Sequence, residues 1–137
     1  MKKLNLKSLF FIAAMAFFTL SSCKKNKEDI VPAPLTAAGV WKGLYGSNNN
    51  APTTYFSFII NDNGTMKVKS GEENNPSLGT GTWKIKDGIF SGVYFYNGYP
   101  SDKYNVSAKI DLEKNTMEGS YGFGETVADD GTFTMTR

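Results

Sequence analysis

Eight short β-prone runs, parted by turn residues at intervals close to ten residues, fill the chain from Gly39 onward. That spacing argues for an all-β sandwich or barrel. The runs are Val40–Tyr45, Thr54–Ile60, Thr65–Lys69, Thr80–Lys86, Ile89–Tyr96, Tyr104–Asp111, Thr116–Tyr121 and Thr132–Thr136. Asn63-Gly64, Asp87-Gly88 and Asp130-Gly131 are dipeptides that accept positive φ and suit tight hairpin turns, and Lys114-Asn115 serves less strictly. No segment after residue 35 carries a 3.6-residue apolar stripe, so helices are not expected. The gaps are also too short for the crossovers that parallel pairing needs.

Period-two alternation assigns the faces. Met66 and Val68 oppose Lys67 and Lys69; Trp83 and Ile85 oppose Lys84 and Lys86. Tyr104, Val106, Ala108 and Ile110 oppose Asn105, Ser107, Lys109 and Asp111, and Phe133 and Met135 oppose the threonines around them. One face is packed and the other wet. Without a covering helix, eight such strands leave two open edges unless the sheet closes on itself. The expected fold is therefore an antiparallel up-and-down eight-stranded meander barrel, with an open sandwich as the second choice.

Two counts narrow the chemistry. The chain has no histidine, which removes the usual general base and imidazole ligand, and one cysteine, which removes internal disulfides and cysteine-based zinc sites. A serine nucleophile would then need a lysine base, and no Ser-x-x-Lys falls on a helix. No enzyme activity, cofactor or metal is expected. The acidic residues of Ser70–Gly79, with Glu125, Asp129 and Asp130, lack the alternating spacing of a dedicated calcium loop and read as solvated surface.

The first 22 residues have the parts of a secretory signal: Lys2, Lys3 and Lys7, then the apolar run Leu9–Leu20. That run is shorter than the ~20 residues a membrane-spanning helix needs. Without those three lysines, 12 of the 15 basic residues remain against 13 acidic ones, a net charge of −1. No basic cluster marks a nucleic-acid surface, so nucleic acid is not an expected partner.

Leu20-Ser21-Ser22-Cys23 resembles the lipobox of bacterial lipoproteins. The resemblance implies cleavage before Cys23, a diacylglyceryl group on its sulfur, and membrane attachment through two or more acyl chains, a number that makes an anchor stable. Residues 23–35 then form a tether stiffened by Pro32 and Pro34, leaving 36–137 to fold. Lys27-Glu28-Asp29 resembles the lysine-plus-two-acids signal that sends Bacteroidetes lipoproteins to the outer face of the outer membrane.

Gly39-Val40-Trp41 on the first run resembles the Gly-x-Trp signature of lipocalins, whose eight-strand meander the pattern also fits. The resemblance implies that Arg137, just past the last run, lies over Trp41 and closes that end of the barrel. The chain is shorter than classical lipocalins and has no disulfide and no C-terminal helix pattern. Gly79-Thr80-Gly81-Thr82-Trp83-Lys84-Ile85 and Asp87-Gly88-Ile89-Phe90-Ser91-Gly92 are closer to the small lipocalin-like lipoproteins of Bacteroidetes, and also similar to avidin-type barrels.

An eight-stranded barrel either fills with its own side chains or holds one small ligand. Trp41, Tyr45, Phe56, Phe58, Trp83 and Phe133 are the inward aromatics that would line a ligand site, with gaps expected at Gly43, Ala108 and Gly119. Tyr94, Tyr96, Tyr99 and Tyr104 cluster around the loop 97–102, where Tyr96 and Tyr99 are candidates for contacts with a protein or sugar. The expected role is a non-catalytic, lipid-anchored envelope protein that binds a small apolar ligand in the barrel or an envelope protein at the loop end. The alternative is a filled barrel acting as a structural or interaction module without a ligand.

Overall fold

The computed structural model describes residues 35–126 and 130–137. The signal, Cys23, most of the tether and Asp129 lie outside the described residues. The remainder forms eight strands: β1 Gly39–Ser47, β2 Thr54–Ile60, β3 Thr65–Glu72, β4 Asn75–Lys86, β5 Ile89–Tyr96, β6 Lys103–Asp111, β7 Thr116–Phe123 and β8 Gly131–Thr136. Every sequential pair is antiparallel, and β1 also pairs with β8 from Lys42↔Thr136 to Ser47↔Gly131. The sheet is thus a closed up-and-down barrel of lipocalin-like architecture. Closure removes the free strand edges that the eight-run pattern would otherwise leave.

Two expectations about turns change. The stretch Ser70–Gly79 is not a surface loop: β3 and β4 continue through it, Ser70 opposite Ser77 and Glu72 opposite Asn75, with Glu73 and Asn74 at the tip. Its polar composition hid the strands. Asp130-Gly131 is not a turn tip either, because Gly131 already pairs with Tyr121 and Ser47 as the first residue of β8. By contrast, Asp87 and Gly88 hold φ of 52° and 76°, the left-handed pair that a two-residue hairpin requires.

The interior is solid through its middle. Phe58, Phe90 and Phe133 are buried; Phe58 stacks on Phe90 at 5.9 Å and meets Phe133 edge-on at 5.6 Å. Gly43 and Gly119 leave no gap among them. A Cβ at Gly43 would lie 2.7 Å from the Met135 backbone, and one at Gly119 would lie 2.5 Å from that of Ala108. These glycines let neighbouring strands bend close together where the sheet curls.

One end is sealed. Buried Trp41 donates from Nε1 to the Ala37 carbonyl at 2.8 Å, and the Arg137 guanidinium lies 5.2 Å from its ring centroid. Arg137 also donates to the carbonyls of Thr36 and Ala38 and, twice, to Asn115 Oδ1. It therefore ties the incoming chain, the β6–β7 turn and the C-terminus together. Trp83 stacks on Phe90 at 5.9 Å and donates to the Asn61 carbonyl at 2.9 Å, so both indoles serve this end. The chain enters the barrel here, through residues 36–38.

Candidate functional site

At the opposite end the strands outrun their core and enclose an open cup of about 260 Å³. Its floor is Phe56, which meets Phe58 at 4.8 Å and Phe133 at 5.6 Å below it. Strands β5 and β6 supply one wall. Tyr94 and Tyr104 stack at 5.3 Å, and Tyr96 stands edge-on to both at 5.4 and 5.3 Å. Gly81, opposite Tyr94 on β4, makes room for that wall, since a Cβ there would lie 2.7 Å from Tyr94 Cβ. Tyr45 and Tyr121, with centroids 5.6 Å apart, form the facing wall. Ser47, Ser70 and Ser77 complete the lining.

Hydroxyl pairs hold the phenols in place. Ser70 Oγ and Tyr96 OH are 2.6 Å apart, and Ser47 Oγ and Tyr121 OH are 3.1 Å apart. Each hydroxyl has one proton and two lone pairs, so a paired hydroxyl keeps capacity for a further partner. Burial raises the Tyr94 and Tyr96 phenols above their ordinary range; neighbouring tyrosines push Tyr94 up further, while the Ser70 hydrogen bond partly offsets the rise for Tyr96. Tyr104 is raised first by burial and then by the charges of Asp102 and Asp130, and Tyr121 by burial against the opposing Ser47 bond. The lining is therefore neutral, hydroxylated and aromatic.

Of the residues singled out in the sequence, Tyr45, Phe56, Tyr94, Tyr96 and Tyr104 line the cup. Phe58 and Phe133 are packed beneath it, and Trp41 and Trp83 lie at the sealed end, away from any ligand held in the cup. Tyr96 turns inward to the cup instead of outward from the loop, because it continues the alternation of β5. Tyr99 is exposed at 64%, its backbone N–H closing a turn onto the Tyr96 carbonyl. Tyr121 and the three serines escaped sequence reasoning. Their signal was the continued alternation Tyr45–Ser47 and Tyr121–Phe123, which polar or glycine neighbours obscured.

Among the described residues no cluster of carboxylates or cysteines could hold a metal ion. Glu125 is occupied by Lys103 at 2.9 Å. Asn105, which alternation assigns to the wet face, is buried and donates to the Gly124 carbonyl beside the mouth. No protein-family model, curated protein sequence or solved structure matches the chain.

Proposed function

We propose that this chain is a non-catalytic, lipid-anchored protein of the bacterial outer membrane, related to the small lipocalin-like lipoproteins, whose barrel takes one small molecule in the cup. The observation that carries the reading is the asymmetry of the barrel among the described residues: filled in the middle, sealed where the chain enters, and open at the far end. The chain enters the barrel at the sealed end, through residues 36–38, opposite the mouth. Anchoring rests on Cys23 and its lipobox, and display outside the cell on Lys27-Glu28-Asp29.

The lining changes the ligand expected from an apolar one to a polar, compact one. At about 260 Å³ the cup falls just below the roughly 300–1,000 Å³ of sites for drug-sized molecules. The phenyl rings beneath Phe56 block the depth that an acyl chain would occupy. That same filling favours the second reading, a surface module without a ligand, should the cup take nothing.

A single thiol tests the reading. With Cys23 lipidated, Ser77→Cys carries the only free thiol in the chain. A membrane-impermeant maleimide should label it on intact cells. Labelling only after lysis would overturn surface display, and no labelling of the folded protein in either state would overturn an open cup.

A further inference from the structure

Resting on the reading of the cup as a ligand site, we propose that its ligand is a single neutral sugar ring. Three properties of the lining converge on this class. The walls alternate aromatic rings with hydroxyls: Tyr104, backed by buried Tyr94, and Tyr45 offer ring surface, while Ser70, Ser77 and Tyr96 offer hydroxyls. A pyranose has the matching surface, with apolar C–H patches on its faces and hydroxyls around its edge. Phenol rings suit such contacts because they combine rigid apolar area with a polar tip.

Charge disfavours the anionic classes. Among the described residues, none of the lining side chains is a carboxylate, ammonium or guanidinium. The phenols keep their protons well past neutrality because burial disfavours phenolate. The described rim carries both signs of charge, Asp102 and Asp130 acting on Tyr104 and Lys103 paired with Glu125. With no cationic side chain among those lining residues to pair with it, a carboxylate or phosphate, as in a fatty acid or a nucleotide, is poorly matched.

Size then selects one ring. A volume of about 260 Å³ corresponds to on the order of nine waters of liquid, room for one hydroxylated ring and not two. Beyond Tyr121 the next inward-facing residue of β7 is Phe123, half exposed and edge-on to Tyr104 at 5.3 Å. A second ring, if present, would rest there outside the cup. The sugar can thus be free or the end of a glycan, and Phe123 separates these sources.

Saturation-transfer difference NMR on the full chain in lipid nanodiscs tests the inference. The probes are a panel of neutral hexoses, pentoses and N-acetylhexosamines, their disaccharides, and decanoate as an apolar anion. A ligand this small binds with a Kd on the order of 1 mM, within range of the method. At least one monosaccharide should receive saturation; Tyr96→Phe should weaken its binding roughly fivefold, by loss of one hydroxyl, and Ser77→Phe should abolish it by filling the cup. Far-ultraviolet circular dichroism and melting confirm that both variants fold; if Ser77→Phe does not, competition of the sugar with the Ser77→Cys maleimide reaction replaces it. Tighter binding of a disaccharide, removed by Phe123→Ala while the monosaccharide is unaffected, assigns a glycan end; equal affinities assign a free sugar. Decanoate bound in a manner sensitive to Ser77→Phe, with no sugar bound, would overturn the sugar but keep the cup. Sugar binding insensitive to Ser77→Phe would overturn the sugar's place in the cup, and no cup-dependent binding of any probe would overturn both readings.

Discussion

Removing Arg137 should cost far more than an exposed C-terminal residue ordinarily does. Its guanidinium donates to the Thr36 carbonyl at 2.5 Å, the Ala38 carbonyl at 2.8 Å and Asn115 Oδ1 at 3.0 and 2.7 Å. At an exposed site each such bond contributes at the low end of the usual range, about 0.5 kcal/mol, so four give about 2 kcal/mol. The contact over Trp41, at 5.2 Å, adds about 0.5–1 kcal/mol. Release of the ordered side chain returns about 1 kcal/mol of conformational entropy. Arg137→Ala should therefore destabilise by about 1.5 kcal/mol, which lowers Tm by roughly 6–12 °C in a domain near 100 residues. Arg137→Lys should recover less than half, since an ammonium cannot reproduce the fork that reaches two carbonyls and an amide together. Urea unfolding is the assay, with Asn115→Ala completing a double-mutant cycle; coupling of about 1 kcal/mol is expected. A loss under 0.5 kcal/mol, or strict additivity with Asn115→Ala, would refute the role of this residue as the barrel's seal.

Four further outcomes are expected, three from the packing and one from the lipobox resemblance. Trp41→Ala removes a fully buried indole and should cost about 3–5 kcal/mol in chemical denaturation, whereas under 1 kcal/mol would contradict its place in the core. Gly119→Ala drives a Cβ against the Ala108 backbone and should cost about 1–3 kcal/mol, while a neutral result would show that the strands separate freely there. The raised phenols of Tyr94, Tyr96, Tyr104 and Tyr121 bind their protons more tightly folded than unfolded. Their contribution is complete below the ordinary phenol value of 10.0 and declines as pH rises above it, so stability should fall on the alkaline side with delayed phenolate absorbance. Phenols titrating normally in the folded protein would contradict their burial. Cys23→Ser should move the protein from the membrane to the soluble fraction, and unchanged fractionation would remove the anchor.

The strands that were legible end to end are β2 and β5, where a dense run of β-branched and aromatic residues stops abruptly at turn residues. Apart from Gly39 of β1, the extensions that were missed in β1, β3, β4 and β7 lie at one end. Ser47, Ser70, Ser77 and Phe123 continue the inward register there, but alongside Gly46, Gly71, Pro76 and Gly122 they carry no hydrophobic alternation. The cup was hidden for the reason that makes it a candidate site: its walls are lined with hydroxyls where a core would be apolar. The sealed end was easier to read, because Trp41 and Arg137 sit at the first and last strands that closure brings together. Phe58 and Phe133 were legible as inward-facing, yet alternation gives direction and not depth, so it could not separate the plug from the floor.

Aromatic-ring NMR of the labelled protein, titrated with the neutral monosaccharide panel, tests the central claim most directly by reporting both ends of the barrel at once. Ligand held in the cup predicts shifts in the rings of Tyr45, Tyr96 and Tyr104 with the Trp41 and Trp83 indoles unmoved. Indoles that shift while the tyrosines stay still, or no response at either end, would contradict it.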